Sequence, residues 1–286
     1  MSSRQSCLAP DLTFHLQEVG ASIKPRASRG AHTADVVLLV QESLAGARSV
    51  GATIPSQRAI TMLEGYQIGD ALERERLAAG WHKVGWKLGF TNQSQWAALG
   101  LDQPFHAPIY SETLVAHRVD FDGLVQPRIE PEIVLGIDRD LEQGADLGVI
   151  ATAVAWVAVG LEVVHCHFEG WKMSPAEAVA DAGLHAALAI GPRRKVSPDE
   201  VRGLSAYECD LMCDGVPITR GRGLDVLGGP LEALGWLLRG LPSGLRGSEI
   251  ITTGTLSRAE PVLRGQRWTH CALEPRTLGA VELLLS

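Results

Sequence analysis

The chain has 286 residues, of which 45% are hydrophobic and 21% are charged, a composition typical of a globular protein with a sizeable core. Its formal net charge of −7 at pH 7 argues against a general binder of nucleic acids or anionic membranes. The longest apolar run, Leu147–Leu161, is too short to cross a bilayer, and no signal-type apolar segment follows the N-terminus. The five cysteines form no CxxC pair, which indicates reduced thiols and a cytoplasmic location.

The N-terminal part of the chain is predicted to be helical. Residues 1–32 are polar and irregular, and we expect a flexible extension there. Thr33 is a plausible N-cap for a helix that would run to Ala45 and stop at Gly46. A second helix is expected from Ser56 to about residue 79, so residues 33–80 would form a small helical subdomain.

From residue 81 onward the sequence predicts many short strands and few helices. This pattern favours a closed or sandwiched β domain over a βαβ fold. Asp214-Gly215 is a strong hairpin signal between two of the strands. We expect strands at 84–90, 109–115, 129–137, 160–167, 206–213, 216–218, 250–253 and 281–285, and helices at 92–100, 147–157 and 230–238.

Two carboxylates, Glu130 and Glu132, lie in an otherwise apolar strand. Side chains two apart on a strand share a face, so these carboxylates should project together. Such a pair is costly in apolar surroundings unless a cation lies between them. The alternative is a solvent-facing strand edge that Pro131 blunts, and these residues alone do not decide between that edge and a metal site.

Glu162 is a third carboxylate in an apolar run, and by itself it is more typical of an exposed strand end. Three carboxylates on apolar strands nevertheless make a good set of hard oxygen ligands for Mg²⁺ or Mn²⁺. The nearby His165 and His167 stand at odd offsets from Glu162, which places them on the opposite face of a regular strand. We interpret both histidines as structural and do not expect zinc.

Lys87 lies between Trp86 and Leu88 in a predicted strand. A lysine in this setting either extends its charged end to solvent or is held in a pocket with a perturbed pKa. Desolvation would lower that pKa and suit the lysine to acid–base chemistry, whereas nearby carboxylates would oppose the shift.

Several short motifs occur together in one order along the chain. The ordered set resembles the 2-keto-4-pentenoate hydratase / 4-oxalocrotonate decarboxylase family of the fumarylacetoacetate hydrolase superfamily, over about residues 34–286. The resemblance implies an α+β fold with a mixed β-roll or barrel core (the β-rich catalytic domain, 81–286), a small helical N-terminal subdomain, and a homodimer or larger homo-oligomer. The motifs are Gly85–Asn92, Pro127–Val134, Gly160–Val164, Gly170–Lys172, Gly228–Leu231 with Trp236–Leu237, and Thr252–Thr255.

The resemblance also implies roles for individual residues. Glu130, Glu132 and Glu162 would hold Mg²⁺ or Mn²⁺, and Lys87 would be the active-site acid–base residue. Residues near the substrate would be Trp171, Lys172, Asp181, which follows Glu177 in a changed D-T-V-A-D motif, and the turn Thr253-Gly254-Thr255.

One segment departs from the family pattern. Hydratases of the family commonly carry D-[EQ]-P-D-F-G, whose second Asp is thought to help handle water. Here the segment is Asp102-Gln-Pro-Phe-His-Ala107, so Phe105 replaces that Asp. His106 could act as a catalytic proton shuttle in its place, or it is a surface loop histidine.

The expected activity is that of a metal-dependent hydratase. It would add water to a 2-hydroxy-2,4-dienoate (a 2-oxo-4-pentenoate-type acid) and form a 4-hydroxy-2-oxo acid, with the metal stabilising enolate charge. Decarboxylation of a 4-oxalocrotonate-type acid and C–C hydrolysis of an acylpyruvate need the same electron sink and remain alternatives. A non-catalytic family member that binds metal and a 2-oxo acid is a further alternative. The partner is a small 2-oxo or 2-hydroxydienoic acid, not a nucleic acid or a membrane.

Overall fold

The computed structural model describes residues 29–56, 60–93, 96, 101 and 103–286. Most of the predicted N-terminal extension and most of the helix expected after Asn92 lie outside these residues. No helix in the described ranges combines the length and apolar character needed to span a bilayer.

Two helices begin the described chain, α1 at Arg29–Val50 and α2 at Met62–Ala78. Helix α2 begins later than expected because Thr61, rather than Ser56, forms the N-terminal capping box with Glu64. Helix α1 begins before Thr33, which is therefore not its cap, and it continues through Gly46. Arg48 in its last turn donates to the carbonyl oxygen of Ala180 at 2.9 Å, and this tertiary contact stabilises the helix beyond the glycine.

The described residues form fourteen strands and four further helices. The strands are β1 Lys83–Gly89, β2 Phe105–Tyr110, β3 Leu114–Val115, β4 Arg118–Val119, β5 Arg128–Ile137, β6 Val154–Val164, β7 His185–Ile190, β8 Arg194–Lys195, β9 Glu208–Cys213, β10 Val216–Arg222, β11 Ile250–Thr255, β12 Glu260–Pro261, β13 Arg267–Glu274 and β14 Ala280–Leu285. The helices are α3 Leu147–Ala153, α4 Pro175–Ala180, α5 Pro198–Arg202 and α6 Pro230–Gly240.

The strands build two sheets. The larger sheet has the order β2-β1-β11-β5-β6-β7-β3, with β12 beside β5 and β8 beside β6, and it curls into a half-barrel. The smaller sheet has the order β10-β9-β13-β14-β4. In the larger sheet β1 runs parallel to β11, whereas β5 is antiparallel to both β11 and β6. The fold is therefore mixed, as predicted.

The two faces of the larger sheet differ in what they contact. Ile129, Ile133 and Leu135 of β5 belong to the main core, which also contains side chains of the smaller sheet and of helices α3 and α6. Val134 points the other way and packs with Ile109 in a smaller apolar cluster. Because side chains alternate along a strand, Glu130 and Glu132 share the face of Val134. The carboxylates therefore face away from the main core.

Some element boundaries differ from those predicted. The helix expected at 147–157 ends at Ala153, and β6 already begins at Val154 instead of Gly160. Most of β6 is buried, so its apolar run shows no alternation that would separate strand from helix. The strand expected at 109–115 is divided into β2 and β3 by a short turn, and the longer strands β7 and β13 and the two-residue strands β4, β8 and β12 were not anticipated.

The hairpin between β9 and β10 is confirmed. Asp214 and Gly215 have φ values of 49° and 80°. Both central residues of a type I′ turn require positive φ, which explains the residue types at this position.

Candidate metal centre and active site

Three glutamates converge on the face of the larger sheet that points away from the main core. Glu130 lies directly opposite Glu162 across the β5–β6 pair, and Glu132 lies opposite Gly160. One carboxylate oxygen of each glutamate lies within 4.8 Å of those of the other two. The shared face predicted for Glu130 and Glu132 is thus present, and the neighbouring strand adds the third carboxylate.

Burial makes this cluster electrostatically unfavourable in the absence of a cation. Glu132 and Glu162 are both 0% exposed. Burial, opposed by Lys87, raises the pKa of Glu130 to about 7. Burial and the two neighbouring carboxylates raise the pKa of Glu132 well above its usual range. All three carboxylates can therefore be ionised together only if a cation compensates their charge.

The residues present fit a divalent metal ion of the Mg²⁺ type. Glu132 Oε1 and Glu162 Oε2 are buried and have no hydrogen-bond partner among the residues that the structure describes. Buried carboxylate oxygens normally have partners, so these two are available as ligands. A set of three carboxylates is the hard oxygen donor set that Mg²⁺ and Mn²⁺ prefer, whereas zinc favours nitrogen and sulfur.

Lys87 reaches the glutamates from β1. Its Nζ lies 2.9 Å from Glu162 Oε1, and the side chain is 3% exposed, which excludes the solvent-extended alternative. Burial by itself would lower the pKa of Lys87, but Glu162, Glu130 and Glu132 together raise it above its ordinary value. For Glu162, burial by itself would raise the pKa, but Lys87 and His185 hold that pKa below its usual range. The pair is therefore an ammonium and a carboxylate.

A β-bulge in β11 completes the environment of Glu132. Thr252 pairs with Val134 and Thr255 pairs with Glu132, so β11 has one residue more than β5 between these two pairs. The bulge directs the backbone N–H of Gly254 to Glu132 Oε2 at 2.7 Å. Gly254 has a φ of 107°, and a Cβ atom there would lie 1.9 Å from Thr91 Oγ1. The glycine of the Thr-Gly-Thr turn is therefore required by its conformation and by close packing.

A cavity of about 300 Å³ opens beside the glutamates. Four residues expected in the site line it: Lys87, Glu130, Trp171 and Thr255. Its other walls are largely apolar and include Phe90, Phe105, Val164, Met173 and Leu184. The cavity is large enough for an organic molecule of modest size, and an anionic group of that molecule can approach the glutamates if a bound cation lies between them.

Several residues expected near the substrate lie elsewhere. Asp181 is buried and accepts from His167 N at 2.9 Å, Lys172 is exposed, and the Thr253 hydroxyl donates to the carbonyl of Ile133. None of these three lines the cavity. The contact with Asp181 gives His167 the structural role predicted for it.

His106 does not reach the cavity either. Lys87 pairs with Ala107, and Leu88 pairs with His106, so His106 projects from the opposite face of the sheet to Lys87. Its ring lies 5.1 Å from that of Trp86 and 4.9 Å from that of Tyr66. Burial lowers its pKa to about 4. The geometry places His106 in an aromatic cluster, on the other side of the sheet from Lys87.

Two residues of the site were missed in the sequence. Arg128 lies two residues before Glu130 on the same face of β5 and lines the cavity, with its guanidinium carbon 4.3 Å from the centre of the Trp171 ring. The period-two pattern that linked Glu130 to Glu132 could have found it. His185 of β7 contacts Glu162, and no local pattern signals it because the contact depends on the pairing of β6 with β7.

The curled mixed sheet with its cluster of three glutamates defines the class of fumarylacetoacetate-hydrolase-like proteins. The family model for the fumarylacetoacetate (FAA) hydrolase C-terminal region matches residues 84–281. The chain therefore belongs to the fumarylacetoacetate hydrolase family.

Individual relatives place the chain in one branch of this family. It is 28% identical over 237 residues to the 2-hydroxyhexa-2,4-dienoate hydratase of Comamonas testosteroni, covering 79% of this chain and 88% of that protein. It is 32% identical over 202 residues to a 2-keto-4-pentenoate hydratase of Paraburkholderia xenovorans, covering 68% and 73%. Among solved structures, the 4-oxalocrotonate decarboxylase from Pseudomonas putida G7 complexed with magnesium and adipate matches with a TM-score of 0.81 and 26% identity, covering 89% of this chain and 98% of that one. The branch is that of the hydratases and decarboxylases.

Proposed function

We propose that the protein is a Mg²⁺- or Mn²⁺-dependent hydratase that adds water to a 2-hydroxy-2,4-dienoate and forms a 4-hydroxy-2-oxo acid. The observation that carries this proposal is the meeting of three glutamates, two of them with unpartnered oxygens, and the Lys87 ammonium beside one cavity. The two hydratase relatives act on compounds of this kind, as their names state.

Glu130, Glu132 and Glu162 would hold the metal ion, which when bound supplies an electron sink for the charge that develops on the 2-oxo group. Lys87 lines the cavity as an ammonium, so it can deliver a proton to a carbon of the substrate. Glu162 keeps the Lys87 ammonium in place. Because the pKa of Glu162 is lowered, Glu162 does not take the proton from Lys87. Arg128, stacked on Trp171, supplies a second positive charge that attracts an anionic substrate.

Decarboxylation of a 4-oxalocrotonate-type acid is the second candidate, and Phe105 is the observation that favours it. Its ring centre lies 5.9 Å from Lys87 Nζ, at the position where hydratases of the family commonly carry an aspartate. An aromatic wall offers water no hydrogen bond, whereas loss of CO₂ followed by protonation requires no added water. The decarboxylase relative supports this candidate as well.

A direct assay separates these reactions. The purified protein is incubated with 2-hydroxypentadienoate and with 2-oxohex-3-enedioate, with Mg²⁺ or with a chelator, and both CO₂ and hydroxylated products are measured. The proposal expects Mg²⁺-dependent formation of a 4-hydroxy-2-oxo acid. Release of CO₂ without a hydroxylated product would replace hydration by decarboxylation. Metal binding without any turnover would indicate a non-catalytic member of the family.

A further inference from the structure

A buried histidine that lies outside the cavity contacts one of the three glutamates. His185 Nδ1 is 2.7 Å from Glu162 Oε1, and the side chains of both residues are 0% exposed. His185 belongs to β7, the strand next to β6, and it lies beyond the residues that line the cavity. It can therefore affect the site only through Glu162.

Thr113 fixes the orientation of the imidazole. Thr113 Oγ1 lies 2.8 Å from the carbonyl oxygen of Tyr110 and 2.8 Å from His185 Nε2, so it holds the edge of the ring that faces away from Glu162. Because Glu162 is a carboxylate, His185 donates its Nδ1–H to Oε1, and Nε2 of the ring accepts from the Thr113 hydroxyl.

The two oxygens of Glu162 consequently have different roles. Oε1 has two partners, Lys87 Nζ at 2.9 Å and His185 Nδ1 at 2.7 Å, whereas the buried Oε2 has none within the described part of the chain. A carboxylate with one oxygen held from two sides cannot rotate freely. Only Oε2 is open to a cation.

We infer that His185, oriented by Thr113, is a positioning residue that commits Glu162 to offering a single oxygen to the metal ion. The inference rests on the metal site of the proposed function. It has a consequence for metal selectivity, because Ca²⁺ accepts bidentate carboxylates and six to eight ligands, whereas Mg²⁺ requires a near-octahedral set. The contact with His185 therefore favours Mg²⁺ over Ca²⁺.

Calorimetric titration of the metal-free protein with MgCl₂ and with CaCl₂ tests this inference without any turnover. His185→Ala should weaken Mg²⁺ binding by about 10- to 100-fold, the usual effect of removing a residue that holds a metal ligand. Ca²⁺ binding should weaken less, so the ratio of the two affinities should fall. His185→Asn retains a donor near the position of Nδ1 and should restore much of the Mg²⁺ affinity, and Thr113→Val should cause part of the loss.

His167→Asn is the matched control, because it alters another buried histidine–carboxylate pair, in which His167 Nδ1 lies 2.9 Å from Asp181 Oδ1. This variant should leave the ratio of the Mg²⁺ affinity to the Ca²⁺ affinity unchanged. Thermal unfolding of each metal-free variant checks its fold, and His185→Asn and Thr113→Val carry the test if His185→Ala does not fold.

The outcomes are distinguishable. Wild-type protein that binds no Mg²⁺ would remove the metal site and the inference together. If the wild-type protein binds Mg²⁺ and His185→Ala weakens that binding by less than threefold, the inference is wrong while the metal site stands. Equal losses for both ions, or the same loss in the His167→Asn control, would reduce His185 to a structural residue.

Discussion

At the scale of single residues, Glu132 offers a direct test of the proposed metal site. Its Oε1 is buried without a partner among the described residues, while its Oε2 accepts from Gly254. In Glu132→Gln the amide oxygen can still accept from Gly254, but the charge that attracts the cation is lost. We expect Mg²⁺ binding measured by calorimetry to fall below detection. The thermal unfolding temperature of the metal-free protein should not fall, because a buried like-charge contact is removed.

Glu260→Gln is the control for this variant, since Glu260 is also largely buried but is paired with Arg258 outside the cluster. Mg²⁺ affinity should be retained there. Unchanged Mg²⁺ affinity in Glu132→Gln would refute the assignment of Glu132 as a ligand.

Lys87 should be essential for turnover but not for metal binding. In Lys87→Met the proton donor is lost, and kcat should fall by about 10²- to 10⁴-fold, the usual contribution of a positioned acid or base. Mg²⁺ affinity should be equal or higher, because a neighbouring positive charge has been removed. Lys83→Met is the control on the same strand, since Lys83 pairs with Glu73 at 3.0 Å. A Lys87→Met variant with nearly wild-type kcat would exclude the lysine from the chemistry.

The residue-scale predictions succeeded where the geometry is local. The two-residue period on a strand was sufficient to place Glu130 beside Glu132. His106 was proposed as a proton shuttle because it follows the changed segment, yet its pairing with Leu88 directs it to the other face. His185 was not identified from the sequence for the same reason. Strand register between distant segments decides both positions, and no local pattern encodes it.

At the scale of elements, the bulge in β11 determines how the Thr-Gly-Thr turn contributes. Gly254→Ala would place a Cβ atom 1.9 Å from Thr91 Oγ1 on a residue with φ of 107°. We expect a loss of roughly 2–4 kcal/mol in the free energy of unfolding, from overpacking together with backbone strain. Urea unfolding measures this loss. The shifted N–H should also weaken Mg²⁺ binding through Glu132.

Gly265→Ala separates the two contributions, because Gly265 has a φ of 87° but open space around a Cβ atom. In this control the free energy of unfolding should fall only by the cost of the backbone strain, about 1–2 kcal/mol. Equal losses in the two variants would mean that close packing against Thr91 does not matter.

Elements were predictable where turn chemistry or an isolated strand defined them. The hairpin at Asp214-Gly215, the strand β5 and the helix begun by Pro230 were all recognised. The junction between α3 and β6 was not, because a continuous apolar run fits a buried helix and a buried strand equally well. In the fold, pairing of β6 with both β5 and β7 overrides the local ambiguity.

At the scale of the whole molecule, partly and fully buried histidines make stability depend on pH. Burial lowers the pKa of His106, His165 and His270 to about 4. An unfolded chain binds a proton on each histidine near pH 6.5, whereas the folded protein does so only near pH 4. Each group therefore contributes its full stabilisation above pH 6.5, and this contribution is lost as the pH falls towards 4.

His165→Phe isolates one such group. Urea unfolding at pH 7.5 and at pH 5 should show that the wild type loses roughly 1–2 kcal/mol more than the variant over this interval. The same substitution at the exposed His117 serves as the control and should give parallel losses. A variant that loses as much stability as the wild type would show that His165 is not held neutral in the fold.

The parallel pairing of β1 with β11 limits how early the site can form during synthesis of the chain. Lys87 stands beside Thr252, so residues far apart in the sequence meet at the site. A ribosome must release every residue between them before these segments can pair. The three glutamates emerge earlier, on β5 and β6, but β11 must be made before it can hold Lys87 beside them and direct the Gly254 N–H to Glu132.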